Sequence, residues 1–144
     1  MCETTNLSVG RGTDTPFEVV GAPYIDGQRL AAYLNERNLS GVRFVPIRFT
    51  PNASVFKGEQ LGGINIIITN RENFQPVRTG IEIAVALQKL FPNDWQAEKI
   101  NRLLANDKTL EKIKRADAPA EIVKAWAADL ETFKSRRAQF LLYK

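Results

Sequence analysis

Histidine is absent from all 144 residues, and cysteine occurs once. Without an imidazole, a Ser-His-Asp triad, a Cys-His pair and any His-ligated metal centre are excluded within this chain. The single thiol, Cys2, leaves no internal disulfide and no thiolate zinc cluster, and so close to a chain end it reads as an inert bystander. Long apolar runs are missing too. Nothing approaches the ~18 residues of a membrane-spanning helix, and no signal peptide is recognisable; a secretion signal belonging to this protein would lie upstream.

What is present is one ordinary globular domain's worth of chain, 44% apolar and 25% charged, long enough for a real core. The net charge of +4 is uneven. Residues 1–96 hold nine Lys and Arg against nine Asp and Glu, whereas residues 97–144 hold eleven against seven. The excess is spaced along expected helices (Lys99, Arg102, Lys108, Lys112, Lys114, Arg115) and reads as a solvated face. No aromatic residues interleave with it, so nothing points to nucleic acid.

The pattern predicts an α+β domain over residues 1–144. A small mixed β-sheet occupies the N-terminal half, packed with several helices, and the C-terminal third is all helical. Phe17–Pro23 reads as a short strand ended by Gly21 and Pro23. Asp26 is placed to cap a helix from about Gln28 to Arg37, with Leu30, Ala31 and Leu34 on its apolar face, closed by Asn38 to Gly41. Val42–Pro51 is a strand at an edge, or bulged, because Pro46 cannot donate to a ladder. Gly63–Thr69, with four isoleucines, is the central strand.

A turn-rich stretch, Asn52 to Gly58, separates those two strands. A helix around Gly80–Phe91 is apolar almost all round and is expected to be buried on more than one side. Asp94 and Asp107 are the expected caps of two short helices. Pro119 opens a longer one along which Ile122, Trp126, Leu130 and Phe133 recur.

The stretch Glu3–Asp14 fits no periodic element. Gly10 and Gly12 would each cost a helix roughly 1 kcal/mol relative to alanine, and a buried strand would have to desolvate Glu3, Arg11 and Asp14. Within it, Ser8-Val9-Gly10-Arg11-Gly12-Thr13 combines flexible backbone amides with a guanidinium fork suited to a carboxylate or phosphate. It is not a Walker loop, since the Lys-Ser/Thr ending is missing. Two readings stay open: a structural turn tied by an Arg–Asp or Arg–Glu salt bridge, or a ligand site. So polar a run, so early in the chain, suggests that the chain belongs to something larger.

Glu3 reads as a general acid, a base, an acceptor for sugar hydroxyls, or a solvated carboxylate; paired-carboxylate hydrolysis would need a second group that no spacing places. Arg43, Arg48, Arg71 and Arg78 read as solubility and salt-bridge residues. Asn65 is a lateral hydrogen bond or part of a polar strand face, and Trp95 and Trp126 are core residues.

Taken together, the pieces resemble a known family. They are the run Glu3–Thr13, then Pro16-Phe17-Glu18, Gly21-Ala22-Pro23, Phe49-Thr50-Pro51 and Phe56-Lys57-Gly58, followed by Gly62-Gly63, Ile68-Thr69-Asn70-Arg71 and Phe74-Gln75-Pro76-Val77. Over essentially its whole length the chain resembles the C-terminal domain of the exo-β-N-acetylmuramidases of the NamZ type, long catalogued as a domain of unknown function. The resemblance implies a partner, an N-terminal Rossmann-like domain bearing the proposed catalytic Glu and His, with the active site in the cleft between the two.

It also implies release of N-acetylmuramic acid from the non-reducing end of peptidoglycan fragments, without a cofactor or metal, in a periplasmic or secreted setting. The chain departs from the family pattern at Thr4 (commonly glycine), Leu61 (frequently cysteine) and Asn70 (frequently aspartate), and it holds no histidine to replace the catalytic one.

On that resemblance no catalytic residue is assigned to this chain, and it is expected to be inactive alone. The substrate-binding candidates are Glu3, Asn6, Ser8, Arg11 and Thr13. Arg11 would read the lactyl carboxylate that distinguishes muramic acid from glucosamine. Asn6, Ser8 and Thr13 would support sugar hydroxyls and the loop, and Glu3 would accept from a hydroxyl or orient a water. The competing readings are a stand-alone binding module for anionic sugars or cell-wall fragments, and a purely structural interaction domain. An exposed apolar patch is expected where the partner domain docks.

Overall fold

The structure is a computed structural model, which describes residues 2–143. Three strands form one sheet: β1 (Val19–Ala22), β2 (Val42–Phe49) and β3 (Leu61–Ile68), in the order β1-β3-β2. Both pairings are antiparallel, so the sheet is not mixed as expected. The cause is topological. Helix α1 (Gly27–Glu36) connects β1 to β2 as a crossover, which leaves those two strands parallel, and β3 then inserts between them, antiparallel to both.

Asp26 caps α1 as expected, its carboxylate accepting from Gln28 N at 3.0 Å and Arg29 N at 3.1 Å. Leu30, Ala31 and Leu34 are buried in one core with Val20, Ala22, Val42, Phe44 and Ile64 of the sheet. The approach is close because Gly27 and Gly63 lack side chains; a Cβ on Gly27 would strike the Gly63 carbonyl. The side chain of Asn35 accepts from Phe44 N (3.1 Å) and donates to Phe44 O (2.8 Å), satisfying the outward backbone groups of β2. Pro46 shares the parity of Phe44. Its missing N–H therefore falls on the unpaired side, and an edge strand accommodates proline without a bulge.

β3 is central, but its isoleucines are not all buried. Ile64 is fully enclosed, whereas Ile67 and Ile68 are 42% and 45% exposed at the far end of the strand. Asn65 lies between Val19 and Val45 in the sheet, and its Oδ1 is buried without a hydrogen-bond partner.

Helix α2 (Pro76–Leu90) starts a turn earlier than the Gly80 expected, because Pro76 opens the first turn and puts Thr79 inside, buried. It is buried on several sides, including at Glu82. After a 3₁₀ turn (Ala97–Ile100) come α3 (Asn101–Leu104), α4 (Asp107–Lys114), α5 (Pro119–Lys124) and α6 (Ala127–Ala138).

Neither expected aspartate cap holds. Gln96 precedes the 3₁₀ turn, while the carbonyl of Asp94 accepts from Asn6. Asn106 caps α4 by accepting from Thr109 N at 2.9 Å, since Asp107 is engaged by Asn101 in the first turn. The single long helix expected from Pro119 breaks at Ala125–Trp126. Ile122 is buried, Trp126 is half-buried, and Leu130 and Phe133 are exposed. Among the described residues no helix is long and apolar enough to cross a membrane.

Candidate functional site

The polar N-terminal run is not a free loop. A 3₁₀ turn (Cys2–Thr4) leads into Leu7, Ser8 and Val9, all buried, and Ser8 bridges Gly21 of β1. The Gly21 carbonyl accepts from Ser8 N at 2.9 Å, and Ser8 O accepts from Gly21 N at 3.0 Å. The alternation of Leu7 and Val9 is the signal that this stretch pairs with a strand.

All five candidate residues use their side chains within the protein, and three of them hold the N-terminal run in place. Asn6 donates to Asp94 O (2.7 Å) and accepts from Gln96 N (2.9 Å), stitching the N-terminus to the segment after α2. Ser8 is 2% exposed, and its hydroxyl accepts from Gly10 N at 3.4 Å. Thr13 donates to Gly10 O at 2.7 Å and accepts from Thr15 N at 3.2 Å, closing the turn that carries Arg11.

Glu3 and Arg11 are brought together on the surface. Arg11 Nε donates to Glu3 Oε1 at 2.9 Å and Nη2 donates to the same oxygen, with the two side chains 50% (Arg11) and 39% (Glu3) exposed. The guanidinium carbon lies 4.9 Å from the centroid of the Phe17 ring, which is itself 56% exposed. An exposed ion pair contributes ~0.2–1 kcal/mol and an exposed cation–π contact ~0.5–1 kcal/mol. The contact is the Arg–Glu salt bridge that the structural-turn reading expected, and it is a weakly held one.

The backbone around this group is strained. Phe17 is left-handed (φ 68°), as are Ser54 (φ 67°) and Phe56 (φ 61°) in the loop between β2 and β3. Gly12 packs against that loop, its carbonyl accepting from Asn52 N at 2.8 Å. Non-glycine residues in this region cost of order 1–3 kcal/mol each and persist where surrounding structure over-determines them, commonly at binding sites. Phe17 and the Ser54–Phe56 segment were not among the residues expected at the site. The turn-rich composition of Asn52–Gly58 was visible, but nothing in the order of residues places that segment against Gly12.

Behind the loop lie two groups held protonated. Burial pushes the Cys2 thiol up to about 11. Burial, then the charge of Asp94, then Cys2 raises the Tyr24 hydroxyl, which donates to Asn6 O at 3.1 Å. Neither is a nucleophile near neutral pH. Among the described residues no group of three or more His, Cys, Asp or Glu converges to hold a metal ion.

A cleft of about 510 Å³ opens between the start of α1 and the end of β2, with Tyr24, Asp26, Gln28, Pro46 and Arg48 in its walls. It adjoins the N-terminal run through Tyr24 and its bond to Asn6. At the Thr69–Arg71 corner, Asn70 Oδ1 accepts from Glu72 N and Asn73 N, so the residue in the unusual position builds a turn.

Comparison with known proteins bears on the family and the fold. The family model described as exo-beta-N-acetylmuramidase NamZ, C-terminal, matches residues 1–143. A peptidoglycan beta-N-acetylmuramidase NamZ from Bacillus subtilis (strain 168) is 32% identical over 146 residues. That match takes in 99% of this chain and 35% of the relative, so the chain spans about a third of the relative's length. The crystal structure of a DUF1343 family protein from Bacteroides fragilis NCTC 9343 superposes with a TM-score of 0.84 at 22% identity. The superposition covers 96% of this chain and 38% of the other, and it supports the fold. The chain belongs to the NamZ C-terminal domain family.

Proposed function

We propose, with membership of that family as the premise, that this chain is the substrate-cleft domain of a peptidoglycan exo-β-N-acetylmuramidase. In this reading residues 1–144 are a single domain, inactive alone. It works beside a larger Rossmann-like domain, in the same or a separate chain, that supplies the catalytic groups. The substrate is a peptidoglycan fragment with a non-reducing-end N-acetylmuramic acid, met in a periplasmic or extracellular setting.

The observation that carries the reading is the Arg11 guanidinium, half-exposed, stacked on the exposed Phe17 ring and held by the surface carboxylate of Glu3. Muramic acid differs from glucosamine by a lactyl ether bearing a carboxylate. Arg11 takes that carboxylate through paired charge-assisted bonds, and Glu3, released, accepts from a sugar hydroxyl or orients a water. Phe17 offers an apolar ring edge to the sugar's carbon face. Asn6, Ser8 and Thr13 hold the loop in register and support the hydroxyl contacts through its backbone.

The test is titration of the chain with N-acetylmuramic acid and, separately, N-acetylglucosamine, followed by isotope-edited NMR. Shifts at Arg11, Gly12 and Phe17 with muramic acid alone, abolished in Arg11→Ala, support the reading. Equal response to both sugars, or none, overturns it. Muramic acid release is then assayed with and without the Bacillus subtilis relative's remaining region supplied in trans. Release by this chain alone would refute its inactivity. Binding without release in either assay would favour a stand-alone module for anionic cell-wall fragments.

A further inference from the structure

Helix α6 has no buried residue along its whole length. Its upstream neighbour α5 is anchored, with Ile122 fully buried and the Trp126 indole donating to Thr109 Oγ1 at 2.9 Å. Within α6, Leu130 and Phe133 lie three residues apart on one face; Val123 and Trp126 precede it across the break, and Phe140 and Leu142 follow its end. Leu130 and Phe133 are each about half exposed, and Phe140 and Leu142 more so. These exposed apolar residues follow directly on the anchored end of α5.

A helix of 12 residues with no buried side chain and no side-chain cap is marginal in water. Exposed large apolar side chains gathered on such a helix and on the residues after it mark an interaction surface. The match to the family domain extends to residue 143, so α6 and the following residues belong to the unit that the family shares. In the Bacillus subtilis relative that unit is 35% of the chain, which leaves nearly two-thirds of a polypeptide available to cover it.

We propose that α6 and residues 139–143 dock onto that larger remaining region. The complementary groove is apolar along its floor and acidic at one rim, where Arg136 and Arg137 of the last turn fall. The inference rests on the reading above that this domain acts beside a larger one, and it names the surface through which the two are joined. Docking through α6 makes no use of the Arg11 loop, which stays available to a ligand.

The experiment is hydrogen exchange read by mass spectrometry, on the chain alone and mixed with the separately produced remaining region of the Bacillus subtilis relative. Amides of α6 exchange as an unsupported helix in the chain alone and slow at least tenfold in the mixture. Leu130→Asp with Phe133→Asp abolishes the complex, while Arg11→Ala retains it. Both apolar side chains are exposed, so the double variant keeps the parent's melting temperature and the near-ultraviolet circular dichroism of its core.

A complex that leaves α6 unprotected, a complex unaffected by the double variant, or no complex overturns the proposal. So does sedimentation showing that α6 is instead covered by a second copy of this chain. Failure of muramic acid binding in the isolated chain would defeat the sugar reading and leave the exchange result as measured.

Discussion

Gly12 and Ala53 meet backbone to backbone: a Cβ built on Gly12 would collide with the Ala53 nitrogen, and Gly12 itself is left-handed at φ 81°. That contact fixes the Arg11 turn onto the β2–β3 loop, so the position of the guanidinium depends on a residue far along the chain.

Gly12→Ala is therefore expected to cost more than the ~1 kcal/mol of a left-handed alanine, about 2–4 kcal/mol in all. Gly58 provides the control. It has nearly the same dihedral, φ 80°, and a methyl group there would meet nothing within 4 Å, so Gly58→Ala should cost only ~1 kcal/mol. Urea unfolding of the two variants checks the difference; equal costs would show that Ala53 yields.

Asn6 and Arg11 should separate structure from recognition. Asn6→Ala removes the bonds to Asp94 and Gln96 and is expected to lose ~1–2 kcal/mol of stability. Arg11→Ala loses only exposed interactions, so its melting temperature should stay close to the parent's while muramic acid binding disappears. Calorimetric melts paired with the sugar titration read both.

Glu82 is 1% exposed and accepts from Arg37 Nε at 3.1 Å, with Arg78 further off at 3.9 Å. Arg37→Met leaves a buried carboxylate with the more distant partner alone. The expected loss is ~1–2 kcal/mol, below that of a fully desolvated pair because Arg37 is 41% exposed. Glu82→Leu, which removes the buried charge itself, should cost less. Chemical denaturation midpoints decide, and a neutral Arg37→Met would mean that Arg78 closes the gap.

The Cys2 thiol, raised from 9.0 to about 11 by burial, should be alkylated by iodoacetamide at pH 8 roughly tenfold more slowly than an ordinary thiol, the lost thiolate fraction being partly offset by the higher nucleophilicity of a more basic thiolate. The unfolded chain ionises first, so this group's contribution to stability is intact below pH 9 and falls as pH rises toward 11. Alkylation at the rate of free cysteine would show that the N-terminal turn opens readily.

Much of the architecture could be read in advance because its signals are local. Asp26 before an apolar-periodic stretch caps α1, Pro46 marks an edge, and the isoleucine run is the central strand. The failures are equally physical. Asn106 outcompeted Asp107 as a cap because Asn101 holds the aspartate from the preceding turn. The stripe through Leu130 and Phe133 has helical spacing, yet no residue of α6 is buried. Glu3 and Arg11 became candidates through the family resemblance, since composition by itself left a salt-bridged turn open. The Phe17 ring against Arg11 was not legible, because its placement comes from a left-handed backbone.

By itself the sequence determined the strands and the first helix, since capping, periodicity and proline geometry act over a few residues. It also determined that no imidazole chemistry resides in this chain. Only the tertiary structure decided that the sheet is antiparallel throughout, that Asn6, Ser8 and Thr13 serve the fold while Glu3 and Arg11 face solvent, and that α6 is left bare. Each of these depends on contacts between residues far apart in the chain, and packing rather than local propensity selects them.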